Sequence, residues 1–237
     1  AEALRRIRKV DEKHHLTLLC KDLSELARFA RVDNRQYRDP QVCPKPGKGG
    51  SNTLRTADCP GFADPRRTLL GRAQEDWLAQ SWSTDRPWNL LAQQTLMARG
   101  SWEPLAGHGG RFWTDGWDGY PAARTRLLQG AAERRVANLV ALGGDVHAHY
   151  VAALKADFDD PDSAVVGSEV CGTSISSHGP ERHRTDGQLA RHPHLLHARG
   201  DQRGHVLLQV DGQRLQADLM AVADPADPAS AVAVDAR

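Results

Sequence analysis

The feature that most constrains this chain is the run Leu139-Val140-Ala141-Leu142-Gly143-Gly144-Asp145-Val146-His147-Ala148-His149, in which an apolar stretch leads into two glycines, a carboxylate and two imidazoles. An apolar run preceded by a helix-like segment predicts a buried parallel strand, and Gly143-Gly144 lets the backbone turn sharply where it emerges. Asp145 and His147 then sit at the strand's carboxyl end, where open α/β sheets bind ligands. An oxygen and a nitrogen donor from one loop suit a hard or borderline metal ion. The other reading of an isolated Asp-x-His is that the Asp turns the loop and the histidines lie on its surface.

The preceding elements extend that prediction. Residues 15–19 and 26–33 read as two strands joined at Asp22-Leu23-Ser24, with Asp33 closing the second. Apolar positions 70, 73, 77 and 78 recur at helical spacing, so residues 69–82 are expected to form an amphipathic helix with Trp77 on its buried face. A strand over 88–93 ends in Gln93-Gln94. After a glycine-rich loop, Pro121 occupies a first helical position with Asp118 close enough to cap a helix that runs to about residue 134. Helix-then-strand alternation of this kind indicates an α/β fold with a parallel sheet, and it brings Asp33, Gln93 and Asp145 to one cleft at the strand ends.

Beyond His149 the texture changes. Segments 150–156, 164–171, 204–210 and 214–222 are strand-like without helices between them, which predicts a second, mainly antiparallel layer. Residues 178–203, with His178, His183, His192, His194 and His197 at irregular spacing, read as a long solvated loop. The chain divides into an unassigned segment at 1–21, one domain at 22–223 and an Ala/Asp/Pro-rich tail at 224–237 that is expected to be mobile.

Charge excludes some function classes. The 31 basic and 30 acidic side chains cancel to +1 and are interspersed, so no electrostatic footprint for nucleic acid or a membrane surface is expected. No window approaches the roughly 18 apolar residues of a membrane span. The first twenty residues are too charged for a signal peptide. Cys43 and Cys59 flank a polar Gly/Pro-rich loop, and both precede proline. They are read either as a bridge or as two unpaired thiols in a reducing compartment.

Taken in order, several segments carry a family resemblance. They are Asp33-Asn34-Arg35-Gln36-Tyr37-Arg38-Asp39-Pro40, Thr68-Leu69-Leu70-Gly71 with Trp77-Leu78, and Trp88-Asn89-Leu90-Leu91-Ala92-Gln93-Gln94. Trp117-Asp118-Gly119-Tyr120-Pro121-Ala122-Ala123-Arg124, Gly144-Asp145-Val146-His147, Leu154-Lys155-Ala156-Asp157-Phe158, Gly172-Thr173-Ser174-Ile175-Ser176-Ser177 and Gln202-Arg203-Gly204 follow. The chain resembles the carboxyl-terminal half of the catalytic domain of PhoD-type alkaline phosphatases. That resemblance implies a calcineurin-like metallophosphoesterase fold, an α/β/β/α sandwich with a parallel or mixed sheet followed by an antiparallel layer. It also implies hydrolysis of phosphomonoesters and phosphodiesters by a metal-activated water, a site holding iron and calcium, and export to the periplasm or cell exterior.

Residue by residue, the resemblance assigns Asp145 and His147 as metal ligands, with His149 one step further along. Arg35 and Asp33 enter as the catalytic pair: Arg35 either presents a bidentate fork to phosphate or makes a structural salt bridge with Asp33 or Asp39. Asp118 and Tyr120 are read either as lying near the mouth of the site or as a helix cap and a packed aromatic. Family members carry, ahead of the matched region, a cysteine thiolate, a Gly-Asp strand ending and a Trp-Asp-Asp-His run that supply early ligands, and none of these occurs in this chain. The functional expectation is therefore a metal-dependent phosphoester hydrolase. The alternatives are a truncated remnant without activity and a split half with residual phosphate or metal affinity. An incomplete sheet is expected to leave an exposed edge open to association or to a separate amino-terminal half.

Overall fold

The computed structural model describes residues 19–237. Its main sheet begins with β1 (Leu19–Leu23) and β2 (Ala27–Arg31), an antiparallel hairpin that closes through Ser24 at φ +54°. The strand expected at 15–19 lies outside the described residues except for Leu19. A two-stranded antiparallel sheet, β3 (Thr53–Arg55) with β5 (Arg111–Trp113), stands apart from the main sheet. Helix α1 (Arg72–Ser81), β4 (Trp88–Ala92), α2 (Pro121–Glu133) and β6 (Leu139–Gly143) follow the expected alternation. β2, β4 and β6 pair in parallel as neighbours, so the α/β class and the side-by-side order of these strands agree with the sequence pattern.

The distal half differs from the expected layering. β7 (His149–Lys155), β8 (Val165–Cys171) and β9 (Leu195–Arg199) all join the first sheet, in the order β1-β2-β4-β6-β8-β7-β9. β8 is parallel to β6, whereas β7 is antiparallel to both β8 and β9. Alternating apolar residues report one buried face and cannot tell which sheet a strand joins, so these strands were assignable only in space. The antiparallel layer consists of β10 (Arg203–Val210), β11 (Leu215–Val222) and β12 (Val232–Ala236). Within the tail expected to be mobile, β12 pairs with β11, and Arg237 forms an ion pair with Asp218 at 2.7 Å.

Nor is the polar stretch at 178–203 a loop. It contains α3 (Arg182–Arg191) and β9. The buried face of α3 is Thr185 and Gln188, so no apolar stripe marks it in the sequence. His192 is 1% exposed, and its Nε2 accepts from the Ser101 amide at 3.0 Å. Burial pushes the His194 imidazole down to about 4.

Two faces of the main sheet bury different side chains. Leu91, Leu139 and Ala141 meet Leu78 of α1 and Leu128 and Ala131 of α2, and the same core takes in Trp117, Tyr120, Tyr150 and Leu154. Their neighbours in sequence, Leu90 and Val140, point the other way with Ala27 and Phe29 and meet Leu215 of β11. All three helices pack into the first core; among the described residues no helix lies outside the β10–β12 layer. β1 forms an unpaired edge among the described residues, with Leu23 40% exposed.

Cys43 and Cys59 are bonded, which settles the choice that the sequence left open. The bridge lies against Leu54, Phe62 and Phe112, a satellite core beneath the β3–β5 sheet. It closes a loop across 16 residues, and a loop of this size stabilises the fold by about 3 kcal/mol through the unfolded chain. Replacing both cysteines by serine is expected to lower the urea-unfolding free energy by about that amount. An unchanged midpoint would show that this satellite core holds without the bridge.

Candidate active site

Side-chain amides organise the carboxyl edge of the sheet. Gln74, buried on α1, accepts from the Asp33 amide at 2.9 Å and donates to the Asp33 carbonyl at 2.7 Å, fixing the chain as it leaves β2. Gln94 does the same one strand over, accepting from Asn34 N at 2.8 Å and donating to Val32 O at 2.7 Å. The Gln93 carbonyl oxygen accepts from Asn34 Nδ2, Trp117 Nε1 and Thr95 N, each within 3.1 Å. Below them Glu169 of β8, wholly buried, receives the Met97 and Ala98 amides at 2.7 Å on its two oxygens. Burial raises its carboxyl to about 7, against the opposing pull of those two amides and of Arg124.

On this frame Asp33 makes a tight turn. Its Oδ1 accepts from Arg35 N at 2.8 Å and Gln36 N at 3.0 Å, which swings Arg35 back across the end of β6. The Arg35 guanidinium bridges two carboxylates, Nη1 to Asp115 at 2.7 Å and Nη2 to Asp145 at 2.5 Å. Of the two readings for Arg35, the structure places it in salt bridges, but with Asp115 and Asp145 instead of with Asp33 or Asp39. Arg38 and Gln41 also bind Asp115, at 3.0 and 2.6 Å. Burial alone would raise the Asp115 carboxyl, yet Gln41, Arg38 and Arg35 outweigh it and hold it below the usual range. Asp115 and Arg38 were given no role from the sequence: Asp115 follows β5, a three-residue strand within a stretch read as a glycine-rich loop, and Arg38 lies on the loop after β2.

The β6 ending is as tight as its glycines implied. A Cβ on Gly143 would lie 2.3 Å from the Thr95 carbonyl oxygen, so only glycine lets β6 pass that loop. Asp145 and His147 follow at φ +68° and +55°, conformations that project both side chains from the turn. His147 Nδ1 lies 2.8 Å from the His178 carbonyl, so the ring donates there and Nε2 is the nitrogen left for another partner.

His149 does not share that position. It is fully buried; Thr173 N donates to its Nδ1 at 3.2 Å and its Nε2 lies 3.2 Å from Met220 O. Burial lowers its pKa, and with both nitrogens engaged the neutral ring joins the two sheets and offers no donor to a metal. The alternation that puts His147 outward at the turn is broken by the entry into β7. Asp118 does not cap α2: it receives Gly100 N at 3.0 Å and pairs with buried Arg124 at 2.6 Å. Tyr120 is a packed aromatic with its hydroxyl donating to Asp39 O.

Asp33 and Arg35 thus occupy the loop after β2, and Asp145 and His147 the loop after β6, the two strands that flank β4, and Arg35 ties one loop to the other. No group of three or more His, Cys, Asp or Glu side chains able to hold a metal occurs among the described residues. Asp145 and His147 supply two donors, one already shared with Arg35, where a catalytic site of the zinc type takes three protein ligands. By themselves they do not fit an iron or a calcium ion.

An α/β protein with guanidinium and carboxylate groups gathered at its strand ends belongs to a broad class of ligand-binding and hydrolytic folds. Comparison narrows the class. A family model described as PhoD-like phosphatase matches residues 11–219. Alkaline phosphatase D of Bacillus subtilis is 36% identical over 215 residues, which cover 89% of this chain and 35% of that protein. A solved structure of PhoD superposes with a TM-score of 0.82 at 33% identity, over 92% of this chain and 40% of that one. A 32-residue stretch is 59% identical to an uncharacterized protein of Haemophilus influenzae, 14% of this chain and 16% of that protein. The chain belongs to the PhoD-like phosphatase family, and its match spans 35% of the length of alkaline phosphatase D and 40% of the solved PhoD chain.

The two histidines should separate under mutation. His149→Ala removes a buried ring and strands the Thr173 amide, so chemical denaturation should show a loss of about 3 kcal/mol. His147→Ala, at the half-exposed turn, should change stability by less than about 1 kcal/mol. Equal losses at both positions would contradict the separation of roles.

Proposed function

We propose that this chain is part of a metal-dependent phosphoester hydrolase. In it Arg35 presents its guanidinium to the phosphoryl oxygens, and the Asp145–His147 turn contributes two of the ligands that a metal site requires. The observation that supports this reading most directly is the charge balance around Arg35. The guanidinium groups of Arg35 and Arg38 pair with the carboxylates of Asp115 and Asp145, and a third carboxylate, Asp33, accepts from the Arg35 backbone amide beside them. Such a cluster is short of positive charge for a phosphate dianion and suits a cation-assisted anion site. His147 adds the arrangement expected of a metal-ligating imidazole, one nitrogen held by a carbonyl and the other free.

Asp33 acts in this proposal as a positioning residue, since its Oδ1 shapes the turn that aims Arg35. The substrates are phosphomonoesters and phosphodiesters, the metals are iron and calcium, and the setting is the periplasm or cell exterior, as the family resemblance implies. Further ligands come from beyond the described residues, whether in one polypeptide or from a separate amino-terminal half that joins along an exposed sheet edge. A chain without those ligands would be catalytically silent, which is the content of the remnant reading.

Metal analysis of the purified chain, with p-nitrophenyl phosphate and bis(p-nitrophenyl) phosphate as substrates, tests this account. Well under one equivalent of iron or calcium and no turnover are expected of the chain alone. Joined to the remaining ligands, it should hydrolyse both esters. In that enzyme Arg35→Ala should lower kcat/KM by about a hundredfold and His147→Ala by about a thousandfold or more. His147-dependent turnover by the isolated chain would overturn the two-donor reading; full activity of Arg35→Ala in the joined enzyme would overturn the phosphoryl contact.

A further inference from the structure

Beside the Asp145–His147 turn opens a cleft of about 460 Å³, within the size range of small-molecule sites. Asp145 and His147 line it together with Leu96, Trp102, Trp113 and Trp117. Trp102 and Trp113 are half-buried, and the Arg184 guanidinium rests 4.8 Å from the Trp102 ring at the rim.

Much of the polar lining is already engaged. Tyr150 Oη donates to Gln188 Oε1 at 2.6 Å, and Gln188 Nε2 donates to Gly100 O at 2.9 Å. Asp118 is held by Arg124 and the Gly100 amide. Thr95 Oγ1 is buried without a partner among the described residues, so a hydroxyl-rich ligand entering here would gain few partners for the water it loses. A flat unsaturated ring has no such cost, and indole faces and edges favour it.

We propose that this cleft binds the organic half of the substrate and selects phosphoesters whose alcohol carries a planar ring, either an aryl alcohol or a nucleoside, over those of flexible polyols. The proposal rests on the phosphoester reading for the Asp145–His147 turn, while the ring-binding part stands on the cleft itself. Trp113 and Trp102 are its specificity-determining residues.

The test uses the unmodified chain in calcium-containing buffer with phenyl phosphate, adenosine 5′-monophosphate, adenosine and glycerol 2-phosphate. Tryptophan fluorescence gives affinities, and saturation-transfer NMR shows which ligand protons are in contact. Phenyl phosphate and the nucleotide are expected to bind at least tenfold more tightly than glycerol 2-phosphate, with saturation on their ring protons. Trp113→Ala should remove that advantage and leave glycerol 2-phosphate unchanged. Glycerol 2-phosphate binding as tightly as the ring compounds, or ring protons without saturation in the unmodified chain, would overturn the proposal, whatever the folding of the variant. Binding of phenyl phosphate alone would support it and restrict the ring to aryl alcohols. Adenosine binding as tightly as its phosphate would support the cleft while counting against the phosphoryl reading, so the two failures are distinguishable.

Discussion

Everything at this site depends on how four parallel strands end. A strand that stops inside a protein leaves amide and carbonyl groups without ladder partners, and each one stranded away from water costs about 1–3 kcal/mol. Here Gln74, Gln93, Gln94 and Glu169 reach those groups from neighbouring elements and satisfy them. The loops after β2 and β4 are thereby tied to each other as well as to the sheet, and the Arg35–Asp145 ion pair adds the loop after β6. Rigid loops are what allow Asp33 to aim one guanidinium at two carboxylates belonging to different loops.

Charge follows from that rigidity. Arg35 lies between Asp115 and Asp145, and Arg38 shares Asp115, so one guanidinium face is committed to structure while the contact with Asp145 is more exposed. Asp115 is the more buried partner and is held ionised by its hydrogen bonds and the two arginines. Asp145, on a turn at positive φ and 36% exposed, is the partner that a cation could share. In the proposed hydrolase this single carboxylate would couple metal and anion binding. The arrangement also explains why two apparent ligands two residues apart from each other, His147 and His149, have unrelated duties: one ring faces the cleft and the other holds the two sheets together.

Much of this was legible in the sequence, for identifiable reasons. Apolar spacing exposed α1, α2, β4 and β6, because each buries an aliphatic stripe or run. Strand ends could then be read from the polar residues that terminate the runs, which located Asp33, Gln93 and Asp145. Periodicity failed where burial is polar. α3 packs through Thr185 and Gln188, His192 and His194 are enclosed among backbone carbonyls, and Glu169 lies inside a strand that looks half-exposed. Asp115 and Arg38 were hidden for another reason: they are brought together from loops far apart in the chain, and no local pattern encodes that meeting. β12 escaped notice because an Ala/Val segment between prolines and aspartates is a strand only through its partner β11.

The central claim is that Arg35 is an anion-binding group restrained by Asp145. Phosphate affinity measured by calorimetry in metal-free buffer, for the chain and for Asp145→Asn, tests it most directly. Removing one unit of negative charge a few ångströms from the guanidinium is worth on the order of 1 kcal/mol or more at a partly exposed site. The account predicts that Asp145→Asn binds phosphate about tenfold more tightly than the unmodified chain, and that adding Arg35→Ala abolishes the gain. Equal or weaker phosphate binding by Asp145→Asn, in a variant that unfolds with the unmodified chain's midpoint, would contradict it.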